Sequence, residues 1–307
     1  MEKHIPVLLN ECIEGLNIKK DGIYVDLTLG RAGHSSKIVE KLDKGLLIGV
    51  DQDETAIKES TERLQPHIDK VRIVRSNFRN IKSVLESLNI DKVDGIMMDL
   101  GVSSPQLDVA ERGFSYHYDG PLDMRMDQSS TLTAYDIVNT YDIKELTRVL
   151  RDYGDEKYAY QIAKNIIKAR EVKPIQTTFE LVDIIKASKP MKELAKVGHP
   201  AKQAFQALRI ETNDELNALK DALNDALASL KSGGRLVVIT FHSGEDRIVK
   251  SLFMSKTRII GNRLNIPDEK VDLEFKLVNR HPIIATDEEL SINHRSKSAK
   301  LRIIEKL

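Results

Sequence analysis

The chain has 307 residues, enough for one large domain or two smaller ones with a substantial core. Hydrophobic residues make up 41% and charged residues 31%, and the formal net charge is zero, so the whole chain has no electrostatic bias towards nucleic acid. It has no membrane-length apolar run, no signal-peptide pattern and a single cysteine, Cys12, which excludes an internal disulfide and a cysteine-based zinc site. These features predict a soluble, cytoplasmic protein without a membrane partner.

Short β-branched stretches alternate with helical patterns in the N-terminal third, which is typical of βαβ units around a parallel sheet. Their near-continuous apolar character indicates strands that are covered on both faces. The predicted strands are 22–29, 45–53, 71–77 and 93–101, and the predicted helices are 33–42, 54–65 and 80–89.

The pattern changes in the middle of the chain, where the stretch 109–212 has almost no strand signal and several helical segments. We therefore predict an all-helical domain at 109–212 that is inserted into an α/β domain formed by 1–108 and 213–307. The inserted domain is the expected substrate-recognition element.

The α/β pattern then returns with a leucine-rich helix over 213–230, whose end is predicted at the "KSGG" that follows it. A fifth strand is predicted at 235–243, a helix at 245–256, and two final β segments at 274–283 and 299–307. A mostly parallel seven-stranded sheet that ends in such a strand pair is the layout of the Rossmann-like class I methyltransferases. A dehydrogenase half would instead end in another helix and a parallel strand.

Two glycines and an aspartate suggest a ligand site at the carboxyl ends of the first two strands. Gly30 and Gly33 lie where the first strand turns into a helix, so backbone N–H groups can face a ligand there. Asp51 ends the second strand, 21 residues after Gly30, where a carboxylate can accept hydrogen bonds from a ribose diol. Either feature has a plain structural alternative, a tight turn or a helix cap. Together they favour a nucleoside cofactor.

The third and fourth strands add two further side chains to the same predicted edge. Phe78 follows the third strand and can pack on an adenine face, although core packing is the commoner role of phenylalanine. Asp99 ends the fourth strand, so all four strand ends contribute to one crevice. Because the chain lacks a triphosphate-binding loop, this crevice suits S-adenosylmethionine better than ATP.

Six motifs resemble the successive motifs of the MraW family, the ribosomal RNA small-subunit methyltransferase H proteins. They are "HIPVLLNECI", "YVDLTLGRAGHS", "DLGVSSPQLDVAERGFSYHYDGPLDMRMD", "HPAKQAFQALRI", "TFHSGEDRIVK" and "NHRSKSAKLR", and they run from His4 to Arg302. The resemblance implies methylation of the N4 amino group of one cytidine in 16S ribosomal RNA, at the decoding centre, with S-adenosylmethionine as cofactor. It implies cofactor contacts at Ala32, Gly33, His34, Asp51, Phe78, Asp99 and Gln106.

The chain departs from the usual family pattern at a few positions. Ala32 stands where glycine is common and fits if its φ is negative. Gln203-Ala204 replaces Arg-Thr, which removes one basic residue expected to contact RNA. Gly244 replaces leucine, and His294 replaces proline.

The fourth strand leads into "DLGVSSPQ", where amino-methyltransferases place an acidic or Asn-Pro-Pro loop. A cytosine amino nitrogen is a weak nucleophile, so positioning and electrostatics must supply most of the catalysis. We hypothesise that Asp99 lies between cofactor and base. Ser103, Ser104 or the carbonyl before Pro105 would accept from the amino group, although Ser-Ser-Pro can also be only a turn. Methylation at C5 would need a cysteine nucleophile, and Cys12 lies far from any Pro-Cys loop.

Basic residues are unevenly distributed, with 15 Lys+Arg against 10 Asp+Glu between 231 and 307. Local basic groups must hold RNA phosphates in a neutral chain, and each of them has solvated surface charge as its alternative role. The predicted RNA contacts are Arg125, Lys202, Arg247, Arg295 and Lys297, with Lys250 and Lys300 as neighbours. The aspartates around Arg125, at spacing four, match no EF-hand loop and predict no metal site.

Two other functions stay open on the sequence alone. A nucleotide-dependent oxidoreductase would share the first crevice, but it needs a dinucleotide fingerprint and gives no reason for "DLGVSSPQ". A non-enzymatic RNA-binding or ribosome-assembly factor would explain the helical insert but not the cofactor crevice. The sequence is compatible with a monomer or a homodimer, and with naked RNA or an assembled small subunit as substrate.

Overall fold

The structure, a computed structural model, describes residues 5–257 and 273–307. His4, the first residue of the N-terminal motif, lies outside these ranges. The described residues contain seven strands in one sheet: β1 (Ile23–Asp26), β2 (Leu46–Asp51), β3 (Val71–Arg75), β4 (Val93–Asp99), β5 (Leu230–Thr240), β6 (Phe275–Leu277) and β7 (Lys300–Lys306).

The strand order is β3-β2-β1-β4-β5-β7-β6. The first five strands pair in parallel, while β7 runs antiparallel between β5 and β6. This topology confirms the predicted class I, Rossmann-like methyltransferase fold. The order of the sheet reverses between β1 and β4, and open α/β sheets bind ligands beyond the carboxyl ends of the strands at such a point.

Helices occupy the chain between and after the strands. In chain order they are α1 (Leu9–Leu16), α2 (Gly33–Val39), α3 (Glu54–Leu64), α4 (Ile81–Ser87), α5 (Ser104–Asp108), α6 (Ala134–Thr140), α7 (Ile143–Gly154), α8 (Ala159–Val172), α9 (Thr178–Ala187), α10 (Met191–Leu194), α11 (Lys202–Asn213), α12 (Glu215–Ala228), α13 (Ser243–Thr257) and α14 (Asp287–Ile292). Among the described residues, no helix is both long enough and apolar enough to cross a membrane.

The chain divides into two compact units, one of residues 1–101 with 216–307 and one of residues 102–215. The first unit holds the sheet, and the second holds α5 to α11. The sequence predicts domain limits of 1–108 with 213–307 and of 109–212. That these segments are separate domains stays a prediction.

The sheet of the first unit is buried on both faces. Neighbouring residues of β1 point to opposite sides, so that Val25 joins one apolar cluster and Tyr24 joins the other. Leu219, Leu223 and Leu227 of α12 pack into the first cluster, as their helical spacing predicts. Burial on both faces explains the near-continuous apolar strands of the sequence.

Strand β5 begins five residues earlier than predicted. The "KSGG" segment does not end a helix but lies inside the strand, where the pairing with β4 shifts register between Val93 and Gly95. Gly233 has a φ of +74°, a conformation that glycine adopts without steric cost. The two glycines therefore allow an irregular strand start.

The first of the two final β segments is shorter than predicted. Strand β6 covers only 275–277, and Ile283 forms an isolated bridge with Leu301. Asn279 replaces the missing ladder partners, since its Oδ1 accepts from the Ile303 N–H at 2.7 Å and its Nδ2 donates to the Leu301 carbonyl at 3.0 Å. A side chain thus bonds to β7 where the predicted strand would have used its backbone.

Candidate cofactor and active site

The turn between β1 and α2 is built from left-handed residues. Gly30 has a φ of +49°, which glycine tolerates. Ala32 has a φ of +56° and is fully buried at the start of α2. The negative φ that would make alanine tolerable is therefore not what the structure has, and this residue carries a strain of about 1 kcal/mol.

Asp51 connects this turn to the end of β2 by a hydrogen bond. Its Oδ2 accepts from the Gly30 N–H at 2.8 Å, and its Oδ1 accepts from the Asp53 N–H at 2.9 Å. Burial raises the pKa of Asp51 to about 6, although both hydrogen bonds oppose the shift. The cap of α3 is Asp53, whose Oδ1 accepts from the Thr55 N–H, so the helix-cap alternative does not apply to Asp51. Each Asp51 oxygen keeps a lone pair for a ribose hydroxyl.

Asp99 ends β4 within the same unit. Its backbone N–H donates to Thr28 Oγ1 at 2.7 Å, which ties the end of β4 to the end of β1. Its Oδ1 is buried and has no hydrogen-bond partner among the described residues. Burial raises the pKa of Asp99 well above the usual range, and the nearby Asp26 and Glu245 raise it further. A buried oxygen without a partner is costly, so a ligand donor is expected here.

His34, the second residue of α2, is a buried neutral imidazole. Its Nε2 lies 2.9 Å from the Val7 carbonyl, to which only a protonated Nε2 can donate. Burial lowers the pKa of His34 to about 4. Nδ1 is then an acceptor, and it lies 3.7 Å from Asp99 Oδ2. Two facing acceptors favour a proton on Asp99, in agreement with its raised pKa.

Asp26, at the end of β1, is a further acidic residue near Asp99 that the sequence did not reveal. This carboxylate is 2% exposed and accepts from Ser35 Oγ at 2.7 Å and from the Thr28 N–H at 3.1 Å. Burial raises its pKa, although both hydrogen bonds oppose the shift. The available signal was an aspartate at a strand end, as at the ends of β2 and β4.

The N-terminal segment also contributes to the site in a way that the sequence did not reveal. A Cβ on Gly33 would lie 2.6 Å from Pro6 Cγ, so the proline ring packs directly on this glycine. The next residue, Val7, holds His34 through its carbonyl. Leu8 N–H donates to Glu289 Oε1 at 2.8 Å. Pro6 and Val7 therefore shape the glycine turn from outside.

Phe78 follows β3 and begins a short 3-10 turn. Its ring is partly buried and packs against the apolar core of the first unit. The rest of the ring is accessible. Beside it, Asn77 Nδ2 donates to Gln52 Oε1 at 2.8 Å, which joins the ends of β2 and β3.

The second unit begins at Val102, three residues after Asp99, and its first residues form an ordered helix start. Gln106 is buried, and its Oε1 accepts from the Ser103 N–H at 3.0 Å in a capping box at the N-terminus of α5. Pro105 stands in the first turn of this helix. Ser104 Oγ is buried and, within the described ranges, has no hydrogen-bond partner. The segment is thus the capped start of a helix, and it leaves one buried hydroxyl without a partner among the described residues.

Arg125 is engaged within its own loop. Its guanidinium binds the Asp123 carboxylate at 2.9 and 2.6 Å and donates to the carbonyls of Gln128 and Ser130. This arrangement supports the local ion pair that was the alternative to an RNA contact.

The described part of the chain contains no group of three His, Cys, Asp or Glu side chains that could hold a metal ion.

The other predicted RNA contacts lie at the surface. Lys202 is the first residue of α11, and Arg247 lies on α13. Arg295 and Lys297 lie in a 3-10 turn before β7. All four side chains are exposed.

Two departures from the family pattern have a local structural role. Gln203 Nε2 donates to the Asp155 carbonyl at 3.2 Å and so joins α11 to the end of α7. A Cβ on Gly244 would lie 3.1 Å from the ring of His242. The His242 ring lies close to Gly244 because its Nδ1 accepts from the Gly244 N–H at 3.2 Å. His242 therefore binds a backbone N–H at the start of α13.

The first unit fits S-adenosylmethionine in its donor and acceptor chemistry. Asp51 offers acceptors for the two ribose hydroxyls, and Phe78 offers an accessible apolar ring for the adenine. Asp26, Asp99 and the Glu245 carboxylate, which is 3% exposed, make an acidic environment suited to a cationic ligand. These observations support the cofactor that the sequence predicts.

Comparisons with known proteins agree with this assignment. The model of the MraW methylase family matches residues 1–307. Ribosomal RNA small subunit methyltransferase H of Clostridioides difficile (strain 630) is 52% identical over 307 residues, which are 99% of this chain and 99% of that protein.

Solved structures with a similar arrangement are distant in sequence. A candidate rRNA methylase from Clostridium thermocellum is 14% identical, with a TM-score of 0.47, over 99% of this chain and 100% of that one. A methyltransferase homologue from Streptococcus mutans, in complex with SAH, is 13% identical, with a TM-score of 0.46, over 99% and 100%. Both scores are too low to assign a fold by themselves. The family match and the close relative confirm the resemblance seen in the motifs, and the chain belongs to the MraW methylase family.

Proposed function

We propose that this protein transfers the methyl group of S-adenosylmethionine to the N4 amino group of a cytidine in 16S ribosomal RNA, at the decoding centre. The observation that carries the proposal is the buried Asp99 oxygen, which has no partner among the described residues and lies at the end of β4, in the same unit as the acceptors for a nucleoside cofactor. Family membership and the close relative, which is named for the small ribosomal subunit, give the class of substrate.

When bound, S-adenosylmethionine supplies an electrophilic methyl group. In our proposal the carboxylate of Asp51 holds the ribose, while the Gly30–His34 turn and Phe78 shape the rest of the cofactor site. Asp99 Oδ1 accepts an N–H of the cytosine amino group and orients the nitrogen lone pair. Because burial raises the pKa of Asp99, its ionised form is a stronger proton acceptor than an ordinary aspartate. A bound cationic cofactor favours the ionised form of Asp99, which can then take the proton that the amino group loses.

Ser104, Pro105 and Gln106 are proposed to complete the site through the chain that follows Asp99. Ser104 Oγ is a buried hydroxyl without a partner among the described residues, so it can accept the second amino N–H. Gln106 Oε1 accepts from the Ser103 N–H, so this side chain helps to hold the start of α5.

Two measurements test the proposal. Small-subunit RNA from cells that lack this protein should lose one N4-methylated cytidine, as seen by mass spectrometry of nuclease fragments. Purified protein should bind S-adenosylmethionine selectively over NAD, and it should restore that methyl group on RNA from the deletion strain. An unchanged RNA modification pattern would refute the substrate. Selective binding of NAD would favour the oxidoreductase alternative.

A further inference from the structure

The second unit carries a cluster of aromatic rings that the proposed chemistry does not use. Tyr116 stacks on His199 with ring centroids 4.5 Å apart and an interplanar angle of 13°. The His117 ring lies 4.6 Å from Tyr116 and 5.4 Å from His199. Tyr116 also meets Phe205 edge-on at 5.6 Å, and Phe205 belongs to the apolar core of this unit. The three rings thus contact one another, and Tyr116 connects them to the core residue Phe205. His117 is exposed.

The ring of His199 and the segment around it are held in place by polar contacts. His199 Nδ1 accepts from the Ala201 N–H at 3.2 Å, so this imidazole is bound to the backbone before α11. Lys189 Nζ donates to the Pro200 carbonyl at 2.7 Å and forms an ion pair with Glu156 at 2.7 Å, with side chains 7% and 1% exposed. A buried ion pair of this kind fixes geometry more than it adds stability. The segment that carries His199 is therefore anchored.

The same segment is strongly basic. Residues 186–202 contain five lysines and one glutamate. Lys189 is committed to Glu156, and Lys196 pairs with Glu193 at 2.7 Å. Lys186, Lys192 and Lys202 are exposed. Burial lowers the pKa of His199, and His117 and the neighbouring lysines lower it further, so this ring is neutral at physiological pH.

An exposed His117 ring against half-buried Tyr116 and His199, with exposed lysines on the segment that carries His199, matches the requirements of single-stranded RNA. Bases stack on aromatic faces, while lysines hold the phosphates of the backbone. A protein or membrane partner would need a continuous apolar surface, whereas lysines lie close enough to the His199 ring to lower its pKa.

We propose that Tyr116, His117 and His199 form a stacking platform for an unpaired base of the ribosomal RNA, with Lys186 and Lys192 on its phosphates. The base is a nucleotide other than the one that is methylated. This inference rests on the proposed function, because it takes ribosomal RNA as the substrate. It adds a binding site that supplies affinity and register rather than chemistry.

The test uses the full-length protein and small-subunit RNA from a strain lacking the protein. Variant His117→Ala removes the exposed ring, and His199→Asn removes a second ring while its amide oxygen can still accept from the Ala201 N–H. Variant Lys186→Ser/Lys192→Ser removes two cations. Matched controls are Tyr160→Ala, an aromatic residue of α8 that is 60% exposed, and Lys164→Ser/Lys168→Ser on the same helix.

Each ring variant should weaken RNA binding by roughly 5- to 160-fold, the range typical for loss of one stacked base, and should raise KM with kcat unchanged. The lysine variant should flatten the salt dependence of binding by about one to two units of log–log slope. Neither change should alter S-adenosylmethionine affinity.

The inference is overturned if the ring and lysine variants bind RNA with the affinity and salt slope of the α8 controls. That result differs from failure of the proposed function, in which the wild-type protein would itself leave the RNA unmethylated. A fluorescent base analogue placed in the bound RNA should be quenched by the wild-type protein and not by His117→Ala.

Discussion

Asp51 should couple cofactor binding to the release of a proton. Each of its oxygens already accepts one backbone N–H, from Gly30 and from Asp53. A proton on either oxygen would occupy the lone pair that a ribose hydroxyl needs, so the cofactor should bind the ionised form. Because the pKa of Asp51 is about 6, binding near that pH must expel the proton from about half of the molecules.

The magnitude follows from the same pKa. At pH 7 about nine molecules in ten have an ionised Asp51, and at pH 5 about one in ten does. The Asp51 contribution should therefore weaken S-adenosylmethionine binding about tenfold between these two pH values, which is about 1.4 kcal/mol. Titration calorimetry at pH 6 in two buffers of different ionisation enthalpy measures the proton release directly.

The comparison that isolates this group is wild type against Asp51→Asn, with exposed Asp43→Asn as the control. Asp51→Asn should bind more weakly and should lose about half a proton of release at pH 6. Any release from Asp99, whose pKa is also raised, remains in both proteins and cancels in the difference. Equal proton release and equal affinity in wild type and Asp51→Asn would show that the ribose is held elsewhere.

Three further predictions test the groups around this site and the second unit. Asp99→Ala should lower kcat at least 100-fold, as measured in single-turnover methylation. Its melting temperature should not fall, since a buried oxygen without a partner is removed. Lys189→Met should destabilise the protein by about 3–5 kcal/mol in denaturant titration, because Glu156 is left buried and unpaired. Ala32→Gly should leave the melting temperature unchanged or raise it, since relief of about 1 kcal/mol of left-handed strain offsets the greater freedom of glycine in the unfolded chain, and a lower value would contradict this.

The parts of the fold that follow from local pattern could be predicted, and those that depend on tertiary contacts could not. Apolar runs located β1 to β4, and the leucine spacing located α12. The start of β5 was missed because glycines usually end an element, whereas here the pairing with β4 overrides that preference. Strand β6 was overestimated because the side chain of Asn279 takes over ladder bonds to β7, which no local pattern reveals.

The candidate site shows the same division. Asp51 and Asp99 were predictable because each ends a parallel strand, where side chains meet at one edge. The role of Pro6 and Val7 was not, because it arises from a contact between the N-terminal segment and α2 that only the folded chain brings together. The backbone angle of Ala32 was likewise beyond the sequence, since an alanine gives no sign of a positive φ.

The buried carboxyl groups of the crevice lower the stability of the folded protein at neutral pH, and the proposed chemistry explains why they are there. Asp26, Asp99 and Glu245 lie close enough that the first and last of them raise the pKa of the second. A carboxyl whose folded pKa is raised binds its proton more tightly in the native state, so its contribution to stability falls as the pH rises from the unfolded pKa of an aspartate to the folded one. The native protein at neutral pH therefore tolerates a destabilised carboxylate at the end of β4. Such a group is a better proton acceptor and a better partner for a cationic ligand than an ordinary surface aspartate, which is what methyl transfer to an amino nitrogen requires.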